Sequence, residues 1–388
     1  MPLRNYRRIS LGIVCAILLV APAFSFAAPI RVTTWNLEWF PNGTPKEAPP
    51  AEQQTRIHAA ADVLRALNSD IILLQEVRDY AAVQQLIDAI KPGSYHIAIC
   101  SAFKDSFQKG LGKQQVVILA REPAQAAWAE PWKSMQGVDP PRGFAFAWLK
   151  VKGTDVGVYC VHLKSNLVMH GDKAAEGAKN VRKREVASGQ LLDHIRTVVA
   201  EKMPSVRSFI IGGDFNTNID EFGAETTLTQ LQQDGFQNAL GDLARNMRVT
   251  HPGSHGYPDA TFDYLLAKNG KILKPTITKS QASDHLPVTC EVELGVTGAV
   301  TKANAAPPKE AVAPPAEAAP APDAPAKADA TNESVVTLTQ PVTIKIPYGQ
   351  TVLPAGTRLQ VVSRDAKTVD VRYLEAIYPI PLPSTDLK

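Results

Sequence analysis

Five stretches of the chain run apolar or alternate apolar with polar positions, and each carries a chemically useful residue at or near one end. They are residues 30–38 with Asn36 and Glu38, 71–76 with Glu76, 156–162 with His162, 208–216 with Asp214 and Asn216, and 261–266 with Asp263. Backbone pairing buries such strands while their ends present polar side chains to a common cleft. Between the first two, residues 51–67 are rich in helix formers and set Ile57, Ala60, Ala61, Leu64 and Leu67 on one apolar stripe. The alternation predicts a two-layer sheet sandwich with covering helices rather than a simple doubly wound fold.

The pattern changes at both ends. Residues 301–333 are dominated by Ala, Pro and charged residues, including Pro307, Pro308, Pro314, Pro315, Pro320, Pro322 and Pro325. So many prolines break a helix and so little apolar area forms no core, so this segment is expected to be an extended, partly stiff linker. After it, β-rich runs return at residues 335–338, 342–346, 358–362 and 369–373, broken by Gly349 and the Pro354-Ala355-Gly356 turn. They predict a small β-barrel-like domain over residues 334–388 that resembles bacterial SH3 modules, which implies an envelope polymer or a protein peptide as its partner. At the other end Arg4, Arg7 and Arg8 precede an apolar run at residues 11–20, and Ser25-Phe26-Ala27 supplies small residues for cleavage. This is the three-part pattern of a signal peptide, residues 1–27, and it predicts a periplasmic or extracellular protein whose main domain is residues 28–300.

Composition narrows the function. Lys+Arg number 41 against 38 Asp+Glu, and the three leader arginines account for the whole excess of +3. A mature chain of zero formal charge excludes a histone-like polycation as the explanation of function. Cys15 falls in the leader, and Cys100, Cys160 and Cys290 are odd in number, so at least one lacks an intrachain partner. No CxxC pair points to a zinc cage.

The strand ends carry the chemistry. Gly212-Gly213 permits a tight backbone approach and leaves Asp214 and Asn216 two positions apart on one side of the strand. Taken in order, Trp35-Asn36-Leu37-Glu38, Leu74-Gln75-Glu76-Val77, Gly212-Gly213-Asp214-Phe215-Asn216 and Ser283-Asp284-His285 resemble the endonuclease/exonuclease/phosphatase superfamily across residues 30–295. Gln75-Glu76-Val77-Arg78-Asp79 and His162 are similar to the branch containing pancreatic-type deoxyribonucleases.

The resemblance implies a four-layer α/β sandwich with two central, mainly antiparallel β-sheets. It also implies cleavage of phosphoester bonds with Mg²⁺, for which Mn²⁺ substitutes. A hard divalent ion takes oxygen donors, so Glu76 is the principal metal ligand, with Glu38 and Asp284 as further carboxylates. Asn36 and Asn216 position phosphate, and Asp214 prepares the attacking water or binds metal. His285, oriented by Asp263, contacts the scissile phosphate. His162 contacts phosphate or protonates the leaving group. In the deoxyribonuclease branch a glutamate partners the corresponding histidine, whereas this chain offers Gln114, which orients a ring but does not stabilise imidazolium as an anion does. Arg142, just before an apolar strand, has the directional donors to grip phosphate. Lys173, Lys179, Arg182, Lys183 and Arg184 form either a phosphate-tracking region or a solvated face.

The leading expectation is an exported DNA endonuclease or broad nuclease that hydrolyses phosphodiesters in line with an activated water. The same chemistry serves a phospholipid, as in sphingomyelinase-like enzymes, or a small phosphomonoester. In the lipid reading Trp128, Trp132 and Pro140-Pro141 line the entrance. A noncatalytic phosphate-binding module is the alternative of a different class.

Overall fold

The computed structural model describes residues 28–105, 110–168, 170–220, 225–254, 256–295, 335–346, 349–353, 355–373 and 376–387. The expected leader and linker lie outside these residues. The main body begins with β1 (Ile30–Phe40), α1 (Pro50–Leu67), β2 (Ile71–Val77), α2 (Tyr80–Ile90), β3 (His96–Cys100), β4 (Gln115–Ala120), β5 (Ala126–Pro131), β6 (Gly143–Val151) and β7 (Thr154–His162). It continues with α3 (Lys173–His194), a π-helical turn (Ile195–Val199), α4 (Ala200–Lys202), β8 (Ser208–Asp214), α5 (Thr227–Gln233), β9 (Gln237–Asn238), β10 (Asp263–Lys268), β11 (Gly270–Ile277) and β12 (Val288–Leu294). The C-terminal strands are β13 (Val335–Thr337), β14 (Val342–Ile346), β15 (Gly349–Leu353), β16 (Arg358–Arg364), β17 (Thr368–Tyr373) and β18 (Ala376–Pro381).

Local chemistry sets the helix ends. Pro50 opens α1, where a missing N–H costs nothing, and Asn68 closes it in the left-handed conformation. Asp79 caps α2 by accepting from the Ala82 N–H at 2.8 Å. The apolar stripe of α1, Ile57, Ala60, Ala61, Leu64 and Leu67, is buried as its spacing predicts. It packs with Leu86 and Ile87 of α2 on Trp35, Ile72 and Leu74 of β1 and β2.

Strands assemble in the orders β11-β12-β1-β2-β4-β3 and β14-β15-β5-β6-β7-β8-β10-β9. Between these two sheets lie Val32, Leu73 and Ile118 from one side and Ala145, Val158, Ile210 and Leu265 from the other. The far face of the eight-stranded sheet, with Phe146, Tyr159 and Ile211, is covered by Leu191, Leu192, Val199 and Leu231 from the α3–α5 region. All three described cysteines are buried and unpaired. Among the described residues no helix is long and apolar enough to cross a membrane.

The expected fold class is corrected at the C-terminal domain. Both large sheets are mainly antiparallel but mixed, with β1–β2 and β7–β8 as their parallel pairs. No barrel forms at the C-terminus: β13, β16, β17 and β18 make an open four-stranded sheet. The β14–β15 hairpin leaves that group and extends the eight-stranded sheet at β5, with Gln350 paired to Ala129. The physical reason is where the apolar faces go. Val342, Ile344 and Leu353 belong to the same buried cluster as Trp128, so joining the β5 edge buries them and removes an open edge at once.

The glycine pair that ends β8 is fixed by close packing. A Cβ on Gly212 would lie 2.5 Å from Leu73 Cδ1, and one on Gly213, whose φ is +154°, would lie 2.0 Å from the Val161 carbonyl oxygen. The first contact is where the two sheets meet, and the second is with the neighbouring strand β7. Because backbone atoms cannot rotate away, Gly213→Ala is expected to cost at least about 2 kcal/mol of stability. A thermal melt followed by circular dichroism checks this, and a melting temperature within 1–2 °C of the parent (roughly 0.5 kcal/mol) would contradict it.

Candidate functional site

Strand register brings the site together. In one sheet the parallel pair β1–β2 places Asn36 opposite Gln75, next to Glu76. In the other, β7 and β8 set His162 opposite Asp214, and β10 sets Asp263 opposite Asp214 from the far side. The two sheets meet through Asn36 Nδ2, which donates to Glu76 Oε1 at 3.3 Å and to Asp214 Oδ2 at 3.0 Å. His285 comes from the loop before β12. Its carbonyl accepts from Trp35 Nε1 at 2.9 Å, while Ser283 Oγ donates to the Asn36 carbonyl at 2.8 Å and so ties this loop to β1.

Two imidazoles flank Asp214. His162 Nε2 stands 3.6 Å from Asp214 Oδ2 and 3.7 Å from Glu76 Oε1, and His285 Nε2 stands 3.9 Å from Asp214 Oδ2. The other nitrogen of His285, Nδ1, is 2.7 Å from Asp263 Oδ2. Asn216 is anchored by its N–H to Asp214 Oδ1 at 2.9 Å and by its amide to the Leu163 carbonyl at 3.2 Å. Backbone strain gathers here: Glu38, Glu76, Arg142 and Asn216 all adopt positive φ, between 49° and 67°. Such conformations persist where the surroundings over-determine them, as at sites built for a ligand.

The environment drives the two histidines apart. Burial, then the charges of Arg142, His285 and Lys164, pushes the His162 pKa well below the usual imidazole value. Burial alone would lower His285 too, but the charge and hydrogen bond of Asp263, followed by Asp214 and Asp284, raise it to about 10. At neutral pH His162 is therefore neutral and His285 is a cation. Burial also raises Asp214, against the opposing pull of His285.

Seven of the residues picked from sequence converge: Asn36, Glu76, His162, Asp214, Asn216, Asp263 and His285. Three stand apart. Glu38 pairs with Arg56 at 3.1 Å, and Asp284 lies at the rim with its carboxylate 3.8 Å from His251 Nε2. Arg142 is spent within the protein, donating to the His162 carbonyl at 2.9 Å, the Leu163 carbonyl at 2.6 Å and Gln114 Oε1 at 3.1 Å. Gln114 accordingly serves Arg142. His162 Nδ1 is buried without a hydrogen-bond partner among the described residues. His251, whose ring centroid is 4.8 Å from that of His285, has no sequence signal, since it sits in an irregular loop at no motif spacing.

The donor set fits a divalent cation. The ligand atoms of Asp214, Asp263 and His285, and those of His251, Asp284 and His285, lie within 4.8 Å of one another; with His285 protonated, the carboxylates are the donors open to an ion. The buried Asp214 and Asp263 and the partly exposed Glu76 concentrate acid at one place, and Asp263 Oδ1 has no hydrogen-bond partner among the described residues. Hard oxygen donors with unbalanced negative charge suit a hard cation.

A profile described as the Endonuclease/Exonuclease/phosphatase family matches residues 33–285. Among solved structures, the chain is similar to an endonuclease/exonuclease/phosphatase from Beutenbergia cavernae DSM 12333, at 19% identity and a TM-score of 0.50, over 69% of this chain and 72% of that one. It is also similar to the human Nocturnin catalytic domain with bound sulfate anion, at 17% identity and a TM-score of 0.50, over 68% of this chain and 93% of that one. At these identities the likeness is one of fold. No curated protein matches the sequence.

Proposed function

The chain belongs to the endonuclease/exonuclease/phosphatase family, and on that premise we propose that it is a divalent-metal-dependent phosphodiester hydrolase acting on nucleic acid, with DNA the first substrate. The observation that carries this reading is the placement of Asp214 between a neutral and a charged imidazole, beside Glu76 and Asn36. Glu76 and Asn36 would hold the ion. A divalent cation bound there would supply Lewis-acid neutralisation of the charge that builds up on the phosphate.

The protein's own groups do the rest. Asp214, whose proton affinity is raised by burial, takes a proton from the attacking water as the new P–O bond forms. The His285 cation stabilises the added negative charge, and Asp263 fixes its ring. His162, being neutral, donates a hydrogen bond from Nε2 rather than a full proton, and Asn216 helps position the phosphate. The opposite P–O bond breaks, and the departing alkoxide, hydrogen-bonded by His162, takes its proton from solvent water, giving a phosphomonoester and an alcohol. Action outside the cytoplasm is part of this proposal and rests on the sequence of residues 1–27 alone.

One observation favours phospholipid as a second reading. Leu111, Met135, Leu167, Met247 and Tyr257 are exposed, and each lies in a connection between strands at the end of the sheets where Glu76 and Asp214 sit. An apolar rim of this kind suits an amphiphile. The test is product formation by the purified mature chain on double-stranded DNA, RNA, sphingomyelin vesicles and a small phosphomonoester. DNA cleavage is expected with Mg²⁺ or Mn²⁺, abolished by a chelator and restored by either ion. Turnover of vesicles or monoester alone would overturn the substrate assignment, and metal-independent turnover would overturn the mechanism.

A further inference from the structure

The segment that follows His162 is held more firmly than a loop requires. The carbonyls of His162 and Leu163 accept from Arg142, Leu163 accepts again from Asn216, and the Lys164 carbonyl accepts from Arg184 Nη1 at 3.0 Å. Arg184 is itself buried and held in a two-pronged pair with Glu225 at 2.7 and 2.5 Å. Asn166 closes the strap by donating to the Asn216 carbonyl at 2.8 Å. Two guanidinium groups, the half-buried Arg142 and the buried Arg184, thus fix three consecutive residues beside the reaction centre.

What this strap presents is the Lys164 ammonium. Its only described hydrogen bonds go to its neighbour Ser165, at 3.1 Å to the carbonyl and 3.3 Å to the hydroxyl. Among the described residues neither Lys164 nor Lys183 has an ion-pair partner, whereas the nearby Arg184 is matched by Glu225. Lys164 is half-buried, and burial together with the charges of Arg142, Lys183 and Arg184 lowers its pKa. Its charge also reaches the His162 ring. A partly desolvated cation among like charges, with no anion facing it among the described residues, is costly unless a ligand supplies one.

We propose that Lys164, with Lys183, forms a second anion subsite that takes the phosphate next to the one being cleaved, so that the preferred substrate carries neighbouring phosphates along one strand. This rests on the phosphodiesterase reading and adds to it what distinguishes a polynucleotide from a single phosphate ester. Lys164 is in this sense a specificity residue with no role at the reacting bond.

The test compares a trideoxynucleotide, which has adjacent phosphodiesters, with bis(4-nitrophenyl) phosphate, which has one. In Lys164→Ala the ratio of kcat/KM for the first over the second is expected to fall about tenfold, mainly through KM. The salt dependence of trinucleotide turnover should become shallower by about one unit of log–log slope. Lys164→Arg should recover most of the ratio, and Lys164→Gln, which keeps the aliphatic stem, should repeat the loss if the alanine variant folds poorly. An unchanged ratio, with both substrates affected equally or not at all, overturns the subsite. If the parent protein hydrolyses neither compound, the phosphodiesterase reading fails instead. Metal-free anisotropy with a labelled 5′-phosphorylated trinucleotide then decides the subsite on its own: about tenfold weaker binding in Lys164→Ala supports it, and equal binding overturns it.

Discussion

Replacing Asp214 by Ala is expected to lower kcat/KM for the preferred phosphodiester by roughly 10³-fold or more, the loss expected when a general base and its electrostatic role go together. No neighbour can replace it. Glu76 is engaged by Asn36 and by the Trp39 N–H at 3.0 Å, and Asp263 is committed to His285. The loss should fall on kcat, because Asn216 and the His285 cation remain to bind phosphate. Stability should move the other way. Asp214 is fully enclosed and its proton affinity is raised, so its ionised form is a cost to the folded state once pH exceeds the ordinary carboxylate value. The isosteric Asp214→Asn variant should therefore melt no lower than the parent at neutral pH while being as inactive as Asp214→Ala. Steady-state kinetics and a thermal melt on the same preparations check both halves. Retention of more than about a tenth of the parent activity would remove Asp214 from the role of base, since such a base supplies at least about 10² in rate.

How much of this was legible before the fold was known follows from what each residue depends on. Asn36, Glu76, His162, Asp214 and Asp263 were readable because each ends or opens an apolar run, and strand ends are where a sheet gives up buried side chains to a cleft. The α1 stripe was readable because its 3.6-residue spacing is local. The placement of β14 and β15 was not, since it depends on β5 offering a free edge more than two hundred residues earlier. Nor were the partners of the charged groups. Glu38 meets Arg56 only because α1 folds back over β1, and Arg142 reaches the carbonyls after β7 only because β6 and β7 pair with Phe144 opposite Val161. Residue type told which groups can grip phosphate, and burial decided which of them are free to do so. Lys164 shows the same limit from the other side, for a lone lysine after a histidine has no signal until its carbonyl is found clamped.

The sharpest discriminating result should come from Asp263→Asn. In the parent, His285 holds its proton up to about pH 10 because the charge and hydrogen bond of Asp263 outweigh burial. A reaction that needs the His285 cation keeps its rate below that value and loses it as pH rises through it. Asparagine keeps the shape and can still hydrogen-bond the ring, but it removes the charge, so burial then dominates and the His285 pKa falls. Activity at neutral pH should drop by roughly 10²- to 10⁴-fold, on the scale seen when a buried aspartate that orients a catalytic histidine is neutralised. The loss should depend on pH, smaller near pH 6 and larger near pH 9, with the alkaline limb of the kcat/KM profile displaced downward by more than one unit. The same linkage has a stability counterpart. A histidine whose folded pKa exceeds its unfolded one stabilises the fold fully below about 6.5 and progressively less as pH rises toward about 10, so the variant's loss in melting temperature should be greatest at acid pH. A rate loss of equal size at every pH would mean that Asp263 only holds the ring in place, and the charged state of His285 would then have no part in the chemistry.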